Sequence, residues 1–312
     1  METVAVLFNP SSGRGKSQKR KNLIESRFLH FGIPTKWFLS QSEAHLIELA
    51  RTLAHSYTMV TAVGGDTTFT LTAAEIINGG MDVTLGIVGT GSANDISRGL
   101  GIYDLDALCE AIIAGRVRRM DAGCLFLPDR QHPLYFMGAL SLGLGVDVNL
   151  FIAEARRRLP LLNRGGSAVQ ALTGIAAMRH AFSRKSVPDR IQLKTDGCCR
   201  EVYFSLALFA NTPYYANGVR LLPEATPFDG RLHCCIIHTR SLSQTLRLSP
   251  KIIGGRHTSM REVEIIPRSA FQVVPASGQI ALQYDGKVIT GIESFRVEVR
   301  PAVLKTFTSG DR

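Results

Sequence analysis

Over the first 120 residues, short apolar runs alternate with longer stretches of helical period. Val4–Phe8 is a continuous apolar run of strand length, followed by a Ser/Gly-rich loop and a helical pattern near Ser17–Phe31. Thr35–Leu39 predicts a second strand, and Ser42 can cap a helix running to about His55. Thr58–Val63 predicts a third strand, with Gly-Gly-Asp and a helix to about Asn78 after it. Val83–Val88 predicts a fourth, followed by a Gly-rich loop and helical segments to Gly115. Strands alternating with helices imply a parallel sheet covered on both faces. In such sheets ligands sit outside the carboxyl ends of the strands, where these Gly-rich loops lie.

After about Asp121 the period shortens. Leu134–Leu140, Arg190–Lys194, Val202–Ala210, Arg231–His238, Glu262–Ile266, Phe271–Val274, Gln279–Tyr284 and Phe295–Val299 read as strands separated by turn residues. That spacing predicts a sandwich or barrel. One helical insert, Phe151–Phe182, interrupts it. The apolar stretch Tyr135–Ala153 carries Asp147, Asn149 and three glycines, so it predicts buried strands rather than a membrane span. The expected fold is an α/β domain with a parallel sheet over residues 1–122, then a β-sandwich domain with a helical insert over 123–312. The last strand, about 302–307, is a candidate to return to the first domain.

Composition narrows the class. The chain has 312 residues, 45% of them hydrophobic and 20% charged, which excludes a disordered polymer and suits about two domains. Six cysteines show no C-x-x-C spacing, and the N-terminus shows no basic leader, so the expected setting is a reducing cytoplasm. The formal charge is +10 and uneven. Residues 151–200 hold ten basic against three acidic residues, whereas residues 51–150 hold six against ten. Such a segment fits phosphorylated ligands, nucleic acid or an anionic membrane. It lacks the aromatic interleaving of a single-strand binder and the Cys/His spacing of a zinc finger.

Three loops carry candidate chemistry. Asn9–Ser17 ends in Gly15-Lys16-Ser17 but has Pro10 where a P-loop needs its first glycine. Its backbone amides at a helix start still suit phosphate, with a plain turn as the alternative. Gly64-Gly65-Asp66-Thr67-Thr68 lets backbone approach a ligand closely and places Asp66 to accept a proton, hold Mg²⁺ on a nucleotide or cap a helix. Gly89–Asp95 adds amides, hydroxyls and the polar pair Asn94-Asp95. Three such loops at one sheet edge point together to a polyphosphate site. Farther on, Asp147 lies among apolar residues, a costly place for a lone carboxylate. Asp229-Gly230 and Asp285-Gly286 read as hairpin turns. His233-Cys234-Cys235…His238 looks metal-like, but strand alternation splits these side chains between two faces.

The order of these motifs resembles the diacylglycerol-kinase catalytic-domain family of lipid kinases, which includes bacterial and sphingosine-kinase-like branches. Asn9-Pro10…Gly13 resembles its N-P-x-[SA]-G opening, Gly64-Gly65-Asp66-x-Thr68 its G-G-D-G-T, and Gly91–Asp95 its G-[TS]-x-N-D. Gly143…Asp147-Val148, Glu154 with Arg157 and Arg158, the block from Asn211 to Leu232, and Asp285-Gly286 follow in the family's order. The resemblance implies a nucleotide cleft between an α/β domain and a β-sandwich. It implies ATP and Mg²⁺, and transfer of the γ-phosphoryl group to a diacylglycerol- or sphingoid-like lipid hydroxyl. Asn9, Ser12, Gly13, Gly64, Gly65, Thr68, Gly91, Ser92, Asn94 and Asp95 then hold the nucleotide. Asp66 and Asp285 are the two candidate bases, Asp147 and Arg158 face the lipid, and Asp229 falls where some members hold a structural Mg²⁺. The implied partners are a lipid substrate and a transiently visited anionic membrane at the cytoplasmic face, not nucleic acid. Four departures stand out: Thr67 for glycine, Gly89-Thr90 where Pro-Leu is common, Ala216-Asn217-Gly218 for a glycine cluster, and Lys287 for glutamate. They keep two alternatives open, a non-catalytic nucleotide- or lipid-binding protein and an NAD-kinase-like enzyme.

Overall fold

A computed structural model describes residues 2–159, 179, 189–239 and 241–310. The first half alternates as the pattern predicts: β1 (Val4–Phe8), α1 (Lys16–His30), β2 (Thr35–Leu39), α2 (Glu43–Ser56), β3 (Met59–Gly64), α3 (Asp66–Asn78), β4 (Thr84–Gly89), α4 (Asp95–Gly99) and α5 (Leu105–Ile113). Every residue of β1 is buried, as a central parallel strand covered on both faces requires. The four strands are parallel and ordered β2-β1-β3-β4. The chain therefore leaves β1 toward one edge and returns to β3 on the other side. That makes the β1/β3 boundary the topological switch point, where the loops diverge and open a crevice. The ion pairs Arg27–Asp106, between α1 and α5, and Arg51–Glu75, between α2 and α3, tie neighbouring helices together. Ser42 caps α2 by accepting from the His45 amide at 3.1 Å.

The rest of the chain is β5 (Val117–Phe126), β6 (Leu134–Phe136), β7 (Ala139–Gly143), α6 (Leu144–Arg158), β8 (Asp189–Thr195), β9 (Cys198–Phe204), β10 (Leu206–Ala210), β11 (Leu232–Ile237), α7 (Leu242–Ile253), β12 (Val263–Arg268), β13 (Ala270–Pro275), β14 (Ile280–Tyr284), β15 (Lys287–Ile292) and β16 (Phe295–Phe307). A second, wholly antiparallel sheet runs β12-β11-β10-β7-β14-β15. It packs on the antiparallel part of the first sheet through a core that includes Phe204, Phe209, Phe271 and Phe295. The Phe209 and Phe271 rings meet edge to face, 5.1 Å between centroids.

The long strand β16 joins the two halves. It pairs antiparallel with β13 and β5, then parallel with β4 through Lys305 and Thr306. Its register with β5 breaks between Arg300 and Leu304, where Ala302 takes a left-handed φ of 51°. Buried Asp121 accepts the Ala302 amide released there at 2.8 Å and the Gly230 amide at 2.7 Å.

Several expectations need correction. The apolar stretch 135–153 is not all strand. Gly143, with φ 75°, turns the chain out of the sheet, and Leu144 onward is α6. The single expected strand 202–210 is two strands, broken where the Ser205 amide bonds the Ile237 carbonyl. α7 escaped prediction because Pro250 reads as a helix breaker, yet it sits in the helix's last turn. β5 and β15 escaped because Arg118, Arg119, Lys287 and Gly291 dilute their β pattern. Of the expected insert, residues 160–178 and 180–182 lie outside the described residues. All six cysteines are free; Cys234 and Cys235 pack into cores on opposite faces of their sheet, as alternation predicts.

Candidate active site

The three loops converge at the switch point. The first runs through three consecutive left-handed residues, Gly13 (φ 59°), Arg14 (61°) and Gly15 (79°), before α1 begins. A Cβ on Gly13 would lie 2.1 Å from the Thr90 carbonyl oxygen, so only glycine lets the first loop lie against the third. The Ser17 and Thr90 hydroxyls bond at 2.9 Å and fasten the same two loops from beneath. Gly65 and Gly91 face each other: a Cβ on Gly91 would lie 2.5 Å from the Gly65 Cα. Asn9 donates to the Thr68 hydroxyl at 3.0 Å and accepts from the Ser11 amide at 3.1 Å, joining loop one to α3. Ser12 lies beside Gly65, and Ser92 is exposed beside Gly91. The first turn of α1 holds no acidic residue, and its Lys16 and Ser17 amides bond the carbonyls of Gly13 and Ser12 at 3.4 and 3.3 Å, which closes the loop onto the helix start.

Asp66 begins α3 and accepts the Ile96 amide at 3.0 Å, at the start of α4. Burial pushes its carboxyl pKa up, against the amides of residues 94–96 and Arg98, which pull it down. Asp95 does not face the phosphate loops alone. It accepts from the amides of Gly218 (2.6 Å) and Asn217 (3.2 Å) and lies 3.5 Å from Arg98. Ala216, Asn217 and Gly218 all have positive φ, which turns those amides toward it. The segment that departs from the family's glycine cluster thus keeps a glycine-like backbone. Burial, then the neighbouring Asp66 charge, raises the Asp95 pKa.

Asp285 occupies the tight β14–β15 turn with φ 41°, followed by Gly286 at 89°. Its carboxylate accepts from the amides of Met137 (2.6 Å), Gly138 (3.1 Å) and Ala139 (2.9 Å) and from the Thr70 hydroxyl (2.6 Å). Burial outweighs these donors and raises its pKa to about 6. Thr67 is helical and unstrained, and its hydroxyl donates to the Asp285 carbonyl at 2.7 Å. Lys287 reaches Glu43 of α2 at 2.6 Å. The two departures Thr67 and Lys287 therefore both bind the β14–β15 hairpin to the nucleotide-side helices.

The model of the diacylglycerol kinase catalytic domain matches residues 3–125, and that of the YegS C-terminal NAD kinase beta sandwich-like domain matches residues 141–308. The chain belongs to the diacylglycerol kinase family of lipid kinases. It is 26% identical to YtlR of Bacillus subtilis over 316 residues, covering 97% of this chain and 98% of that one. It is 27% identical to a diacylglycerol kinase of Mycobacterium tuberculosis over 267 residues, covering 83% of this chain and 81% of that one. A crystal structure of a diacylglycerol kinase from Bacillus anthracis superposes with a TM-score of 0.70 at 14% identity, covering 98% of this chain and 97% of that one. These findings make the chain a kinase with an α/β domain and a β-sandwich.

Within this family fold, three sequence candidates stand apart from the loops. Asp147 lies in the first turn of α6. Arg158 ends the same helix, about 16 Å farther along its axis. Its side chain pairs with Glu154 at 2.6 Å and is largely exposed. Asp229 precedes β11 rather than forming a hairpin turn. Its Oδ1 accepts the Arg231 amide at 3.0 Å and its Oδ2 meets His233 Nε2 at 2.9 Å. Both oxygens are engaged, and among the described residues no group of three or more His, Cys, Asp or Glu can hold a metal. A structural Mg²⁺ on this exposed carboxylate would compete with the His233 contact. A nucleotide-borne Mg²⁺ is a different case. Such an ion takes one or two carboxylates and completes its shell with phosphates and water. Asp66 supplies one carboxylate beside the loops, and Asn94 Oδ1 is buried there without a hydrogen-bond partner.

Sequence reasoning overlooked Thr70 and the 137–139 amides, and it placed Ser17 and Thr90 in their loops without foreseeing that their hydroxyls bond each other. It noticed Asn211 only as part of a motif. Asn211 is fully buried and donates to the carbonyls of Asp121 (2.8 Å) and Met137 (3.1 Å), fixing the segment that holds Asp285.

Proposed function

We propose that this kinase transfers the γ-phosphoryl group of ATP to the hydroxyl of a membrane lipid of the diacylglycerol or sphingoid type, at the cytoplasmic face of an anionic membrane. The observation that carries the reading is the close approach of Gly13 to the Thr90 backbone and of Gly65 to Gly91 at the switch point. Glycine-rich backbone packed this closely beside helix starts offers a surface that suits a polyphosphate. Phosphoryl transfer needs alignment and charge neutralisation more than covalent chemistry. Asn9, Ser12, Gly13, Gly64, Gly65, Thr68, Gly91, Ser92 and Asn94 line or brace that surface. Mg²⁺ carried on the nucleotide would be held by Asp66 and would neutralise phosphate charge.

Of the two candidate bases, Asp285 is assigned the proton. A general base works best with a pKa near the operating pH, and burial brings Asp285 to about 6. Its four donors hold the carboxylate in one orientation at the seam between α3 and the sandwich. The lipid hydroxyl would displace one of them on binding. Asp147, in the first turn of α6, is assigned to the polar part of the lipid. The exposed Arg158 is assigned to the membrane surface instead.

The test is incubation of the whole chain with γ-labelled ATP, Mg²⁺ and detergent-dispersed diacylglycerol, sphingosine and ceramide, with NAD as a control acceptor. Label in an organic-soluble product is expected. ATP binding without labelled lipid would leave a non-catalytic binder, and labelled NAD would move the chain to the NAD-kinase class.

A further inference from the structure

We propose that the outer face of α7 is a membrane-docking surface for anionic phospholipid. The choice of a bilayer as occupant rests on the lipid-kinase reading above; the surface itself is read from the fold. Leu206 at the start of β10 pairs with both Gly143 and Ile237, the last residues of β7 and β11. α6 follows β7 directly and α7 follows β11 after four residues, so both helices start at the same end of the second sheet. The connections are firm. The Leu144 amide bonds the Ser205 carbonyl at 2.7 Å, and the Ser205 hydroxyl bonds Thr239, which bonds Thr245 of α7 at 2.8 Å.

α7 has two apolar sides. Leu248 and Ile252 face inward, against a core that includes Leu221, Cys235 and Val263. Leu246, Pro250 and Ile253 recur at i, i+4 and i+7 and form a second stripe. All three are exposed, Leu246 by 45% and Ile253 by 79%. Arg247 and Lys251, also four apart and exposed, flank that stripe, and exposed Arg256 follows the helix. No acidic residue occurs between Ser241 and Met260. An apolar stripe with cations along one border and no acidic residue beside it is the pattern of a helix lying in a bilayer interface. There the leucine-type side chains enter the acyl boundary and the cations meet lipid phosphates. A water-facing helix would not need the stripe, and a neutral protein partner would not need the cations. On α6, which starts at the same end of the sheet, Leu150 and Leu159 are also exposed, near Arg157 and Arg158. The helix that carries Asp147 therefore adds exposed apolar and basic side chains of the same kind.

Flotation of the full chain, without nucleotide, tests the proposal on vesicles of phosphatidylcholine alone or mixed with phosphatidylglycerol. Binding to the mixed vesicles that weakens with salt is expected. Replacing Leu246 and Ile253 together by Ser should weaken it by about tenfold or more. Replacing Arg247 and Lys251 together by Gln should weaken it by about 25-fold, roughly fivefold per charge. Thermal unfolding and phosphorylation of detergent-dispersed lipid should stay at wild-type levels in both variants. Wild-type chain that ignores the mixed vesicles, or variants that bind them as well as wild type, would overturn the docking surface. If detergent-dispersed lipid were still phosphorylated, the kinase reading would survive that failure. A dimer in gel filtration that both variants abolish would show that a second copy covers α7, which also overturns the proposal.

Discussion

The Thr67 hydroxyl donates to the backbone carbonyl of Asp285 at 2.7 Å, across 218 residues of sequence. One helix turn on, the Thr70 hydroxyl reaches the Asp285 carboxylate at 2.6 Å. Two threonines on one face of α3 therefore grip a single turn of the sandwich by its main chain and its side chain. A glycine at 67 could not make the first contact. The departure from the family pattern closes the seam instead of damaging it. Thr67→Val keeps the shape and removes only the donor, so stability should fall by about 1 kcal/mol. The kinase turnover should fall several-fold with the KM for ATP unchanged, because the phosphate loops are untouched. Steady-state kinetics with calorimetric unfolding would check this; a raised KM for ATP with unchanged kcat would remove Thr67 from the positioning of Asp285.

Asp285 makes the protein pH-sensitive in two opposite ways. Its folded pKa of about 6 lies above the ordinary carboxyl value of 3.8. Between those values the folded state holds the proton and the unfolded state does not. This group's contribution to stability is therefore greatest below that window and declines as pH rises through it. Activity runs the other way, since only the ionised carboxylate can accept a proton. The kcat/KM profile should lose a decade per pH unit below about 6. In Asp285→Asn that limb should vanish along with most turnover. A limb retained in the Asn variant would transfer the base to Asp66.

Much of this was legible in the sequence. Apolar runs located β1, β3 and β4, because a buried parallel strand is a continuous apolar run, and turn signals located the three loops; the half-exposed edge strand β2 showed only through Trp37-Phe38-Leu39. The Asp285-Gly286 turn was readable as well, since its two positive φ values demand such residues. What the Asp285 carboxylate touches was not. Three of its four partners are backbone amides at 137–139, and amides carry no residue signature. Thr67 stood out only as a departure from the family pattern, because the partner described for its hydroxyl lies 218 positions away. Arg158 read as a substrate residue from a motif, and its pairing with Glu154, one turn earlier on the helix, was not foreseen.

Asp121 should matter for stability and not for chemistry. It is buried, bonds the amides of Gly230 and Ala302, and is the only acceptor described for the bulge amide in β16. Asp121→Ala removes the acceptor of two part-buried hydrogen bonds at the point where β16 passes from the sandwich to the parallel strands. The loss should be about 1–2 kcal/mol in urea unfolding, since water can reach the amide of exposed Ala302. At a temperature where the variant is still folded, its KM for ATP should equal the wild type's. A stability change below about 0.5 kcal/mol would mean that water satisfies these groups.

At Asp229 the expectation is independence from metal. His233 Nε2 and the Arg231 amide already engage both carboxylate oxygens. Adding EDTA or millimolar Mg²⁺ should leave the melting temperature unchanged in the absence of nucleotide. His233→Ala should lower stability by about 1–2 kcal/mol, by leaving the carboxylate short of a donor. A melting temperature that rises with Mg²⁺ in wild type, and is lost in Asp229→Asn, would restore a cation to this position.

Gly13 gives the sharpest test of the phosphate site. Its φ of 59° is left-handed, and an added Cβ would sit 2.1 Å from the Thr90 carbonyl oxygen. That oxygen belongs to backbone, so the third loop or the first must move to admit a methyl group. The amides of both loops then lose the spacing that fits one polyphosphate. Gly13→Ala should therefore weaken ATP binding by about tenfold or more, since a misplaced donor set forfeits at least one charge-assisted bond. Gly15→Ala separates backbone strain from crowding. Gly15 is also left-handed, but nothing lies within 4 Å of its added Cβ, so only the strain of the left-handed region acts there, about 1 kcal/mol. Titration of ATP against the two variants should place Gly13→Ala well below Gly15→Ala in affinity. Equal affinities would mean that the first and third loops do not form one phosphate cradle.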